Sequence, residues 1–114
     1  MIANSFLVYA VLFGELSERE ICQELSAKYN AEVEVVLSDG TRCDLLSDTL
    51  AIEVERTPAW AEAIGQSLHY AELSGRKPGI ILLLSDPTTE WRHLVRCARL
   101  CGKLGITLYV EEIH

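Results

Sequence analysis

Three short runs decide the fold: Ala31-Glu-Val-Glu-Val-Val-Leu37, Thr41-Arg-Cys-Asp-Leu-Leu-Ser47 and Leu50-Ala-Ile-Glu-Val-Glu-Arg56. Asp39-Gly40 separates the first two, and Asp-Gly between strand-like runs is the strongest short-range signal for a hairpin. Asp48-Thr49 turns the chain again into the third run. The pattern predicts a meander of three antiparallel strands.

Working outward, Ser17-Glu18-Arg19-Glu20 fits a capping box, in which the serine side chain and Glu20 satisfy each other's orphan amides. Ile21, Cys22 and Leu25 then line one face of a helix that ends near Tyr29-Asn30. On the other side, Thr57-Pro58 reads as an N-cap and first-turn proline. Its helix runs to about Ser74, where Gly75 can end it. Pro78-Gly79 leads into Ile80-Ile-Leu-Leu-Leu84, an apolar run of the kind buried on both faces of a sheet. Asp86-Pro87-Thr88 opens a last helix, about Thr89 to Leu104, and Gly105 precedes a final strand, Ile106 to Val110. The order α-β-β-β-α-β-α-β predicts an α/β fold with a mixed sheet and helices on both faces.

The chain has 114 residues, which fits a single domain over 1–114. With 49% hydrophobic and 24% charged residues, it has a globular rather than a disordered composition. The net charge of −7 opposes the basic footprint usual for nucleic-acid binders. That charge is uneven, however: residues 1–55 hold three basic and eleven acidic groups, and residues 56–114 hold seven and six. Acidity confined to one half suits a carboxylate cluster for a metal as well as a solvated acidic surface. Cys22, Cys43, Cys97 and Cys101 form no Cys-x-x-Cys pair, which points to a reducing, cytoplasmic compartment. The apolar run Phe6 to Phe13 is too short to span a bilayer, and no Lys or Arg before Arg19 provides a signal-peptide n-region. Periodicity leaves open whether that run is helix or strand, and a buried segment is expected.

The residues with chemistry cluster in order. Glu53 and Glu55 are two apart on one strand and share a face, opposite Ile52 and Val54. Antiparallel pairing can bring Asp44 beside them. Three converging carboxylates stay ionised together only around a cation, and an all-oxygen set suits Mg²⁺ or Mn²⁺. Gln66 and Tyr70 are four apart and share a helix face. Taken singly, each of these residues better suits an ordinary edge-strand or helix surface; it is their order on the expected elements that points to a site.

At these positions the chain resembles the PD-(D/E)XK nuclease superfamily, within it the Q-x-x-x-Y branch of RecB-type and lambda-exonuclease-type nucleases. The family pattern of a helix acid, a strand Asp, Glu-x-Lys and Gln-x-x-x-Tyr is matched by Glu20 (or Glu15), Asp44, Glu53-Val-Glu55 and Gln66 to Tyr70. The likeness covers about residues 17–86 and implies a restriction-endonuclease-like αβββαβ core. It departs from the pattern where Glu55 stands in the lysine position. The resemblance implies metal-dependent phosphodiester hydrolysis with Mg²⁺ or Mn²⁺, DNA being the expected substrate over RNA. Asp44, Glu53 and the Val54 carbonyl would hold the metal, with Glu20 as an outer ligand. Glu55 would act as general base or second-metal ligand, and Gln66 and Tyr70 would orient a phosphate or water. Lys77 or Arg56 is the candidate to supply the missing positive charge, although Arg56 should face away from Glu55.

The last helix carries Arg92, Arg96, Arg99 and Lys103 along one face, a possible phosphate track that Lys77 could extend. Trp91, Leu94, Val95, Ala98, Cys101 and Leu104 read as its core face. His93, Cys97 and Cys101 are only three ligands on one helix with no Cys-x-x-Cys pair, a poor structural zinc site, so both cysteines read as small core or boundary residues. Trp60 and Trp91 read as core anchors. So small a core suggests a homodimer or a larger protein partner and no membrane, in the manner of phage or mobile-element proteins. The competing expectation is a non-catalytic nucleic-acid-binding or scaffold module that keeps the fold.

Overall fold

The structure, a computed structural model, describes residues 16–113. The expectations for Phe6 to Phe13 and Glu15 fall outside these residues. Helix α1 (Glu18–Tyr29) is followed by strands β1 (Glu32–Val36), β2 (Arg42–Leu46) and β3 (Leu50–Arg56). Helix α2 (Trp60–Ser74), strand β4 (Lys77–Leu84), helix α3 (Pro87–Leu104) and strand β5 (Thr107–Glu112) complete the chain. The predicted order of elements is therefore the observed one.

The elements start and stop for local reasons. Ser17 Oγ accepts the Glu20 amide at 3.2 Å while Glu20 Oε1 accepts the Ser17 amide at 3.1 Å, a complete capping box. Asn30 ends α1 in the left-handed conformation, as Gly75 and Gly105 end the other two helices. Asp39 Oδ1 accepts both the amide and the hydroxyl of Thr41, which tightens the β1–β2 turn. Thr57 departs from expectation. A 3₁₀ turn, Thr57–Ala59, precedes α2, and the Thr57 hydroxyl donates to the Glu90 carboxylate instead of capping its own helix.

The five strands form one mixed sheet in the order β1-β2-β3-β4-β5. The first three run antiparallel and β3, β4 and β5 run parallel. Side chains alternate across this sheet and so build two layers. On one face Ile52, Val54, Ile81 and Leu83 pack against Ile21, Cys22 and Leu25 of α1. On the other, Ile80 and Leu82 pack against Ala63 and Ile64 of α2 and Cys97 and Cys101 of α3.

The core face of α3 is rotated from the predicted one. Cys97 and Cys101 are buried and Leu94 partly so, whereas Trp91, Val95 and Leu104 are exposed. Among the described residues no helix is long and apolar enough to cross a membrane.

Strand β4 lies between β3 and β5, and Ile81 on it is fully buried. Ile81→Ala should cost about 2–5 kcal/mol through lost burial and a residual cavity. Urea unfolding would show this as a lower midpoint at unchanged slope; a loss under about 0.5 kcal/mol, the level of a surface substitution, would contradict this core.

Candidate functional site

The regular alternation of the sheet fails at one place. Cys43 packs with Ala51 and Tyr70 on the α2 side, while Leu45, two residues on, packs with Ile52 on the α1 side. Between them lies Asp44. Its neighbour across on β1, Glu34, has a φ of 51°, in the left-handed region that a non-glycine residue enters at a cost of about 1–2 kcal/mol. The β2–β3 pairing extends only over Leu45–Ile52 and Leu46–Ala51. Beyond it the Asp44 side chain takes over, accepting the Val54 amide through Oδ2 at 2.8 Å. The two strands thus part at Asp44, and its carboxylate bridges the opening.

Glu53 lies beside this opening, on the Ala51 side of β3. Only 4% of its surface is exposed, and its Oε1 is buried without a hydrogen-bond partner. Burial pushes the Glu53 carboxyl up to about 10, helped by a hydrogen bond to Asp44 and by the charges of Asp44, Glu55 and Glu18. Tyr70 senses the same charges. Burial raises its phenol to about 12, with further upward pressure from Glu53 and Asp44, so the hydroxyl stays protonated.

The helix carboxylate whose charge acts on this group is Glu18, itself exposed, and not Glu20. Loss of surrounding solvent raises Glu18, followed by the charges of Glu55 and Asp44, with Arg56 acting in the opposite direction. Glu20 is spent on the capping box and points into solvent. Helical spacing explains the difference: Glu18 lies four residues before Cys22 and seven before Leu25, the buried face, and Glu20 lies about 200° round from it. That spacing was readable in the sequence and was missed.

The other expected residues divide. Glu55 is half-buried at the end of β3, with Oε1 accepting the Arg56 amide at 2.9 Å. Val54 is fully buried in the α1-side core, and its amide rather than its carbonyl is tied to Asp44. Gln66 is exposed one turn before Tyr70 and makes no hydrogen bond to the carboxylates. Lys77 begins β4 opposite Leu50, whereas Leu82 is the residue opposite Glu55. At about 3.3 Å per residue this puts the Lys77 backbone about 17 Å from the level of Glu55, so Lys77 does not supply the missing charge. Arg56, near Glu18, is the cation at this end of β3. Arg92, Arg96, Arg99 and Lys103 are all exposed on α3.

Around the site the structure is braced. The Glu90 carboxylate accepts the Thr57 hydroxyl and the amides of Asp86 (2.8 Å) and Ser85 (3.3 Å), fastening the start of α3 to the end of β3. Burial opposes its ionisation, but these hydrogen bonds prevail and lower the Glu90 pKa. His69 Nε2 meets Asp39 Oδ2 at 2.8 Å, tying α2 to the β1–β2 turn.

Among the described residues no group of three or more His, Cys, Asp and Glu side chains is placed so that it could hold a metal ion. The charges of Asp44, Glu55 and Glu18 all act on Glu53, whose buried Oε1 has no hydrogen-bond partner; carboxylate oxygens are the donor type that a hard cation takes.

No family model matches the chain, and no solved structure matches it significantly. Over 109 residues, 96% of its length, the chain is 30% identical to a protein of Acanthamoeba polyphaga mimivirus named for a KilA-N domain. It spans 43% of that relative, less than half its length.

The raised Glu53 carboxyl fixes a pH dependence. The folded protein keeps a proton that the unfolded chain releases near the ordinary value of 4.5, so stability falls as pH rises from there toward about 10. Glu53→Gln removes this slope. In EDTA at pH 8 the variant should melt above the parent, by a few kcal/mol in stability, and the gap should close toward pH 4. Equal melting at pH 8 would contradict the burial of this carboxyl.

Proposed function

We propose that this chain is the catalytic core of a divalent-metal-dependent nuclease acting on DNA. The observation that carries the reading is the buried Glu53, with one unpartnered oxygen, held against Asp44 beside Glu55 and Glu18 where β2 parts from β3. Such a concentration of carboxylates destabilises the empty fold and is offset when a cation binds.

Two further lines support it. The motifs of the PD-(D/E)XK resemblance fall on the elements that the pattern requires: Asp44 on β2, Glu53 and Glu55 on β3, Gln66 and Tyr70 on α2. The mimivirus relative is named for a KilA-N domain, a DNA-binding type of domain. Since the chain spans less than half of that relative, the shared region and the named domain need not coincide.

Asp44 and Glu53 would hold Mg²⁺ or Mn²⁺, with Glu18 as a further carboxylate. When bound, the ion lowers the pKa of water and offsets charge on the scissile phosphate. The protein's own groups do the rest. Glu55 Oε1 is engaged by the Arg56 amide, which leaves Oε2 to accept the proton of the attacking water. Asp44 keeps its geometry through the Val54 amide, and Tyr70 stays a neutral phenol able to donate a hydrogen bond. Arg56 supplies positive charge in place of the absent lysine.

The second reading, a nucleic-acid-binding module without turnover, is favoured by Glu55 at the lysine position and by the finding that no three His, Cys, Asp and Glu side chains among the described residues are placed to hold a metal ion. A cleavage assay separates the two. With labelled single- and double-stranded DNA and Mn²⁺, the parent should cut, while EDTA, Asp44→Asn and Glu53→Gln should each reduce cleavage to background with the fold retained by circular dichroism. Cleavage that survives EDTA or Asp44→Asn would refute the metal assignment. Binding without cleavage by the parent would establish the module.

A further inference from the structure

Helix α3 presents two adjoining rows to solvent. One carries Arg92, Arg96, Arg99 and Lys103, all exposed, and among the described residues none of the four forms an ion pair. At 1.5 Å per residue the row is about 16 Å long. Beside it, Trp91 leads an apolar strip that continues into Val95 one turn on; Trp91 is 56% exposed and Val95 44%. The core of α3 is supplied elsewhere on the helix, by Leu94, Cys97 and Cys101. The indole is therefore free of any anchoring duty.

The position of this surface is set by Glu90. Immediately before Trp91, it holds the hydroxyl of Thr57, and Thr57 follows Glu55 by two residues. The exposed indole and the start of the cationic row thus lie at the end of the molecule where the carboxylates lie.

We propose that α3 is a docking face for single-stranded polynucleotide, with Arg92, Arg96, Arg99 and Lys103 tracking the phosphates and Trp91 stacking on an unpaired base. The occupant follows from charge and shape. Unpaired cations in a row on a protein of net charge −7 select a polyanion, and an exposed ring beside them selects a polyanion with accessible aromatic faces. A duplex offers phosphates but hides its base faces in the stack. A stacked base near an Arg side chain gains a cation–π contribution as well. The proposal takes a nucleic-acid partner from the nuclease reading and narrows its substrate to single strands or frayed ends.

The test measures binding apart from cleavage, so that the two readings fail separately. Full-length protein carrying Glu53→Gln, in EDTA, is titrated against a fluorescein-labelled single-stranded DNA of about 16 nucleotides and against its blunt duplex, across a salt series. Fluorescence anisotropy should show tighter binding of the single strand. Trp91→Ala should weaken it about fivefold or more, and Trp91→Phe should restore most of the loss. Arg96→Glu with Arg99→Glu should weaken binding and lower the salt slope by about 1 to 2. Equal affinity for single strand and duplex, with Trp91→Ala without effect, would overturn the proposal. So would a Trp91→Ala variant that binds DNA normally but loses self-association in sedimentation, which would assign the surface to a second copy of the chain.

Discussion

The Asp44 carboxylate on the Val54 amide is the contact on which the site depends. An interior sheet strand ordinarily satisfies its amides with a neighbouring backbone, since an unpaired buried N–H costs about 1–3 kcal/mol. Here β2 pairs with β3 only at Leu45 and Leu46, and on the Asp44 side of that pairing a side chain fills the vacant acceptor position. The consequence is electrostatic. Asp44 is held in place beside Glu53, and a carboxyl that would otherwise ionise freely is pushed up to about 10 by burial and by its acidic neighbours. The change of face between Cys43 and Leu45 and the left-handed Glu34 belong to the same local departure from regular pairing.

Much of this was legible in the chain, because the relevant signals are local. Asp39-Gly40 marked the hairpin, Ser17 to Glu20 marked the capping box, and the unbroken run Ile80 to Leu84 marked a strand covered on both faces. The shared face of Glu53 and Glu55 followed from the strand period alone. What failed depended on three-dimensional packing. Glu20 reads as the helix acid of the pattern, yet the capping box holds it, and it is Glu18, itself exposed, whose charge acts on the Asp44–Glu53 group. Thr57 looked like a helix cap because Pro58 follows it; its hydroxyl is instead claimed by Glu90, far away in sequence.

Helix α3 shows the same lesson on a larger scale. Apolar residues occupy more than one side of it, so its pattern admits several core faces. The structure selects the one with small side chains, Cys97 and Cys101, leaving Trp91 and Val95 to solvent. The Sγ atoms of Cys97 and Cys101 are 3.8 Å apart in the α3 core, packed with Ala63, Ile80 and Ile106. An overall charge of −7 conceals how these pieces are arranged: carboxylates gather at the parting of β2 and β3, and the free cations run along α3.

In the proposed function a cation replaces the proton on Glu53. Calorimetric titration of the protein with Mn²⁺ at pH 7.5, repeated in buffers of different ionisation enthalpy, counts the protons released on binding. Binding should saturate with about one proton released per site, and both binding and release should be lost in Glu53→Gln if a cation takes the proton's place. Binding that releases no proton, or that persists unchanged in Glu53→Gln, would contradict it.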